Sequence, residues 1–136
     1  MNEISFGSGI PEDPWILKTP SLASEFQAWR DEDKAALVVQ VGSTRLMYQL
    51  SCIADLVAML RAHGDWVALG NADEGKPAVE GSVEAWARDA GNPVGGYYGM
   101  RKGYRGRFGN YVPPVLERLG LAEVEHGARG NRMRAV

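Results

Sequence analysis

Seven glycines fall between Gly91 and Tyr111, at positions 91, 95, 96, 99, 103, 106 and 109. Each costs a helix or strand interior roughly 0.5–1 kcal/mol relative to alanine, so the stretch excludes any long regular element. Regular structure must therefore lie on either side of it. Within it, Tyr97, Tyr98, Tyr104, Phe108 and Tyr111 alternate with Arg101, Lys102, Arg105 and Arg107. Aromatic faces beside cations are the materials of nucleic-acid contact, since bases stack on the rings and phosphates pair with the charges. The same pattern also suits a turn system whose rings pack inward and whose cations are solvated. The Gly-Arg alternation has a flavour of RNA-contacting segments, but three arginines in a folded domain make that signal weak.

Charge divides the chain at the same place. Residues 1–98 carry 7 Lys or Arg against 14 Asp or Glu, and residues 99–136 carry 8 against 3. The net charge of -2 conceals an acidic part and a basic tail. Such asymmetry marks either a polyanion-binding face or two halves that neutralise each other. At 136 residues and 45% hydrophobic content, one α+β domain over 1–136 is expected, with a core that needs neither metal nor disulfide. The single Cys52 has no partner and lies beside Ile53, Leu56 and Val57, which reads as a small buried residue. Met1 to Ile10 has neither the charge nor the apolar run of a signal or anchor, so no membrane association and a cytoplasmic location are expected.

Gly7 to Pro20 holds Trp15 among prolines and glycines and predicts an extended arm pinned by that ring. Strands are predicted at Glu25 to Arg30, Leu37 to Val41 and Arg45 to Leu50, with a hairpin turn at Gly42. Ser51 is placed to cap a helix that runs through Ile53, Leu56, Val57 and Leu60 to His63-Gly64 and covers one face of this meander. Residues 1–70 thus form a β-meander on a helix. In residues 71–136, Ser82 caps a second helix to Ala90, and Pro113-Pro114 opens a third that stops at Gly120. Leu121 to His126 and Arg132 to Val136 form a closing hairpin. Helix, helix and hairpin is the winged-helix order.

Two resemblances follow from these residues. Leu119 to Glu125 with Ala128 to Val136 resembles the helix end and wing of MarR-type winged-helix regulators. In that family an arginine of the wing enters the minor groove, which implies Arg129 or Arg132 here; Gly130 replaces the family's acidic wing residue. The whole chain also resembles a group of uncharacterised small actinobacterial proteins, through His63-Gly64-Asp65-Trp66 and Asn92 to Gly99. That kinship implies no activity.

Catalytic and metal-binding arrangements are missing from the sequence. His63 and His126 lack zinc-ligand spacing with each other or with Cys52. No nucleophile elbow or phosphate-binding loop occurs. Asp65, Asp73, Glu74 and Glu80 read as solvated loop acids. No enzyme, cofactor or metal is therefore expected. The leading expectation is binding of nucleic acid, with duplex DNA favoured over RNA. Arg101, Lys102, Tyr104, Arg105, Arg107 and Tyr111 would serve the loop contact, and Arg129, Asn131, Arg132 and Arg134 the wing contact. The rival is a winged-helix protein-interaction module that binds no nucleic acid and uses Tyr97, Tyr98, Tyr104 and Phe108 as anchors.

Overall fold

Alternation of buried and exposed side chains builds the first sheet. In the computed structural model, which describes residues 7–136, β1 (Trp15–Lys18), β2 (Glu25–Asp31), β3 (Ala36–Val41) and β4 (Thr44–Gln49) pair antiparallel in sequence order. Their two-residue period places Phe26, Ala28, Leu37, Val39, Leu46 and Tyr48 on one buried face. Val41 faces Thr44 across the expected hairpin turn, where Gly42 takes a φ of 56°.

β1 corrects the expectation of a bare extended arm. Trp15 to Lys18 is a paired strand, in register with Ala28 to Glu25. Pro14 and Pro20 lie outside it, so neither removes a ladder hydrogen bond. Trp15 is nevertheless the anchor expected, buried beneath the Arg30 guanidinium 4.9 Å from its ring. Most of the Met1 to Ile10 expectation lies outside the described residues, which begin at Gly7.

α1 (Cys52–His63) buries Cys52, Leu56, Val57 and Leu60 and ends at Gly64, whose φ of 77° lets its N–H donate to the Leu60 carbonyl. Ser51 itself is helical and makes no side-chain cap bond. α1 packs against β7 (Arg132–Ala135) and α4 (Pro113–Arg118), and its buried side chains share one hydrophobic cluster with the inner face of the sheet, where α4 also meets β1 and a set of aromatic rings is seated. Phe26 meets Tyr111 at 5.0 Å between centroids, and Tyr48 meets Phe108 at 5.4 Å, both edge to face. Edge-to-face contacts of this kind add about 0.5–1.5 kcal/mol each beyond the area they bury.

Beyond α1 come β5 (Val67–Ala68), α2 (Val83–Trp86), α3 (Phe108–Tyr111), α4, β6 (Ala122–Val124) and β7, with β7 central in a second sheet ordered β5-β7-β6. Ser82 caps α2 as expected, its hydroxyl accepting from the Ala85 N–H. The helix stops well short of Ala90 because partners outside it claim its carbonyls: Asn92 Nδ2 donates to Trp86 and the Tyr98 N–H to Ala87. α3 lies inside the glycine-rich stretch and had no sequence signal. α4 ends where Gly120, at a φ of 74°, donates to Glu117. One hydrophobic cluster runs from Trp15 to Met133 through both sheets. Among the described residues no helix is long and apolar enough to cross a membrane.

Candidate interaction surface

Three side chains convert the glycine-rich stretch into a fixed platform. Asn92 accepts the Val94 and Gly96 N–H groups and donates to the Trp86 and Gly96 carbonyls. Glu74 accepts the N–H groups of Gly103 and Arg105. Glu84, with no exposed surface, accepts from Gly109 at 2.8 Å, from Phe108 and Ala72, and from the Arg88 guanidinium at 3.3 Å. Burial raises the Glu84 carboxyl above its usual range, although these donors and Arg88 oppose the shift. The Tyr48 hydroxyl donates to the Gly106 carbonyl at 2.7 Å, and that of Tyr98 to Asp55 at 2.8 Å. Close approach explains two of the glycines. A Cβ on Gly99 would lie 2.4 Å from Arg105 Cα, and one on Gly106 would lie 2.7 Å from the Glu74 nitrogen.

Of the expected loop contacts, this platform turns Tyr111 inward and half-buries Tyr104, Arg105 and Arg107, while Arg101 and Lys102 stay exposed. Tyr111 is buried against Phe26, and Tyr98 and Phe108 are wholly buried, so they are not surface anchors. Arg88 and Arg105 both stack on the Tyr97 ring, at 5.6 and 4.9 Å. Their buried Nε atoms have no hydrogen-bond partner among the described residues, and ring contact partly compensates for that. Arg107, at a φ of 57°, pairs with Asp73 at 2.7 Å. Arg101 lies 4.6 Å over Tyr104 and donates to its hydroxyl. Lys102 is exposed and makes no ion pair among the described residues.

The second set of candidates sits on the β6-β7 hairpin, where neighbours in the ladder satisfy it. Arg134 pairs with Glu123, directly opposite in register, at 2.8 Å. Arg132 forms a two-pronged pair with Glu125 and holds its carboxyl below the usual range. Both guanidiniums also stack on Trp66, at 5.2 and 4.5 Å. Asn131 closes the turn, accepting the Gly127 N–H and donating to the Gly127 carbonyl. Only Arg129 of this set is exposed without a pairing among the described residues. It borders a cleft of about 430 Å³ lined also by Pro20, Leu69, Val79 and Asn110.

No hydrogen bond, ion pair or ring contact joins the loop and hairpin sets among the described residues. α4 is covered as well. Pro113, Pro114, Val115 and Leu116 are buried, and Arg118 donates to the Ile16 carbonyl of β1 at 3.2 Å. Glu84, Asn92 and Trp66 had no expected role at the site, and only their place beside the glycine-rich stretch and the hairpin hinted at one. Among the described residues no group of His, Cys, Asp and Glu is arranged to hold a metal ion. Cys52 is buried as expected, and burial pushes its thiol far above neutral pH, which leaves it unreactive there.

No curated protein and no solved structure matches this chain. A family model described as a family of unknown function (DUF6855) matches residues 7–136, nearly the whole length, and the chain belongs to that family.

Proposed function

We propose that the chain is a protein-interaction module on a winged-helix-like scaffold. Helix α1, strand β5, helices α2 and α4, then the β6-β7 hairpin, with β7 between β5 and β6, supports that scaffold, as does the similarity of the hairpin to MarR-type wings. The observation that carries the proposal is the state of α4. In a groove-reading protein this helix lies open to the duplex, whereas here its first four residues are buried and its last turn is tied to β1. The hairpin cations that would flank it, Arg132 and Arg134, are already paired in cis. One face left open is the cleft between the β1-β2 turn and the hairpin, with apolar walls at Leu69 and exposed Val79 and a cation, Arg129, at its rim. It suits a protein segment that inserts an apolar side chain beside a carboxylate.

A photo-crosslinking residue at Val79 is expected to trap one discrete protein partner. The adduct should disappear with Arg129→Glu, and the same probe at Met100 should trap none. Equal trapping from both positions would sink the assignment to this cleft. The nucleic-acid reading keeps one observation in its favour: Arg101, Lys102 and Arg129 are exposed and have no carboxylate partner among the described residues. Fluorescence anisotropy of a mixed-sequence duplex at about 50 and about 200 mM salt separates the two, since phosphate contacts weaken steeply over that range. Little binding at either salt is expected; steep, salt-sensitive binding abolished by alanine at these three positions would establish the DNA reading instead.

A further inference from the structure

His126 follows β6 and reaches two other parts of the fold at once. Its Nδ1 lies 2.9 Å from the Pro20 carbonyl, in the β1-β2 turn, and its Nε2 lies 2.6 Å from a Glu117 carboxylate oxygen at the end of α4. Both partners are acceptors. A neutral imidazole has one N–H, so whichever tautomer it adopts, one of these contacts sets a ring lone pair against an oxygen lone pair. Only the imidazolium, with an N–H on each nitrogen, satisfies both.

We propose that His126 is a pH-operated latch that fastens the hairpin to the β1-β2 turn and to α4 when protonated and releases the turn when neutral. The proposal is independent of which partner the protein binds. The two bonds join segments separated by 106 and 9 residues, so the latch spans the N-terminal sheet and the C-terminal hairpin. The charged groups around it are Lys18 of β1, Glu25 of β2, and Glu117 and Arg118 of α4, which line the same cavity, of about 510 Å³, with His126. Arg118 is turned to the Ile16 carbonyl and Glu117 to the imidazole, so the carboxylate is the charge that reaches the ring. Partial burial alone would lower the imidazole's affinity for a proton, but the bond to Glu117, the Pro20 carbonyl and the charge of Glu117 together raise it above its ordinary 6.5. The contribution is therefore complete below about 6.5 and is lost as pH rises through the higher folded-state value. Pro20 also lines the cleft beside Arg129, so release loosens a wall of that cleft.

The amides of Thr19 and Leu22 and that of Ser24 are hydrogen bonded within the turn and report on it directly. Hydrogen exchange, corrected for the intrinsic effect of pH, is expected to show their protection falling roughly tenfold between pH 5.5 and pH 8.5, the weight of one charge-assisted hydrogen bond. The fall should vanish in His126→Gln and shrink in Glu117→Gln. NMR titration should place His126 above its ordinary 6.5, and Glu117→Gln should lower it. Protection of the turn that is independent of pH in the wild type, or equally dependent in His126→Gln, would overturn the latch. Far-ultraviolet circular dichroism of both variants confirms that they are folded before the comparison is made.

Discussion

The glycine-rich platform, with Arg101, Lys102, Arg105 and Arg107 and no acid of its own, and the β6-β7 hairpin, with Arg129, Arg132 and Arg134 beside Glu123 and Glu125, dispose of their charge in different ways. The hairpin uses acids from its own ladder: Glu123 and Glu125 lie 11 and 7 residues from Arg134 and Arg132. The platform uses acids from the other half of the chain, with Asp73 on Arg107 and Glu74 on the backbone of Gly103 and Arg105. The asymmetry seen in the sequence is therefore only partly a pairing of halves. A local ladder can lose an acid and keep its shape. A platform whose backbone amides terminate on distant carboxylates cannot.

The largest expected effect tests that contrast. Glu84→Ala leaves three amides without their acceptor in the interior and leaves Arg88 its carbonyl partners but no carboxylate, and is expected to cost about 3–5 kcal/mol in chemical denaturation. Glu125→Gln, at the exposed hairpin, should leave the denaturation midpoint nearly unchanged; comparable losses would erase the distinction. Glycine substitutions sharpen it further. Gly106→Ala forces a Cβ into the Glu74 backbone and is expected to cost about 2 kcal/mol or more. Gly130, whose φ is 70° with open space around it, should accept Asn for roughly 0.5 kcal/mol, because Asn tolerates that conformation.

Smaller but more informative is the double variant Glu123→Gln with Glu125→Gln. It removes both wing carboxylates from Arg132 and Arg134, and duplex anisotropy should then show salt-dependent binding, with a log–log slope steeper than the wild type by up to about 2. No gain would mean that Trp66 alone keeps these guanidiniums occupied. The least effect is in acid titration, where the two regions should differ in sign. Glu125 is held low by Arg132, so its contribution is present above 4.5 and is lost as pH falls through its lower folded value. Glu84 is raised by burial, so the cost of its charge is relieved as pH falls through its higher value. Denaturation midpoints against pH for the single Gln variants check both slopes.

Elements governed by neighbours in sequence were legible. β2, β3, β4, the hairpin at Gly42, the left-handed cap at Gly64, the Ser82 cap and the β6-β7 hairpin all follow from local periodicity or turn chemistry. β1 was hidden because four strand residues between prolines resemble a loop. α3 was hidden because its helix starts on amides held by Glu84, 24 and 25 residues away, and local pattern carries no trace of such a partner. The site residues were legible as chemistry but not as exposure. Arg107 looks as free in the sequence as Lys102, and only the folded chain sets Asp73 beside Arg107 while giving Lys102 no carboxylate among the described residues.

The Tyr48 hydroxyl bonds a carbonyl 58 residues further along the chain, which has a consequence for synthesis on a ribosome. At about 5–20 residues per second, the first sheet emerges roughly 3–12 s before the rings that cover it. During that interval Phe26, Leu37, Val39 and Tyr48 present a sticky half-structure to other nascent chains. The acidic character of residues 1–98 then acts as a temporary safeguard, keeping unfinished copies apart by mutual repulsion until the basic tail arrives.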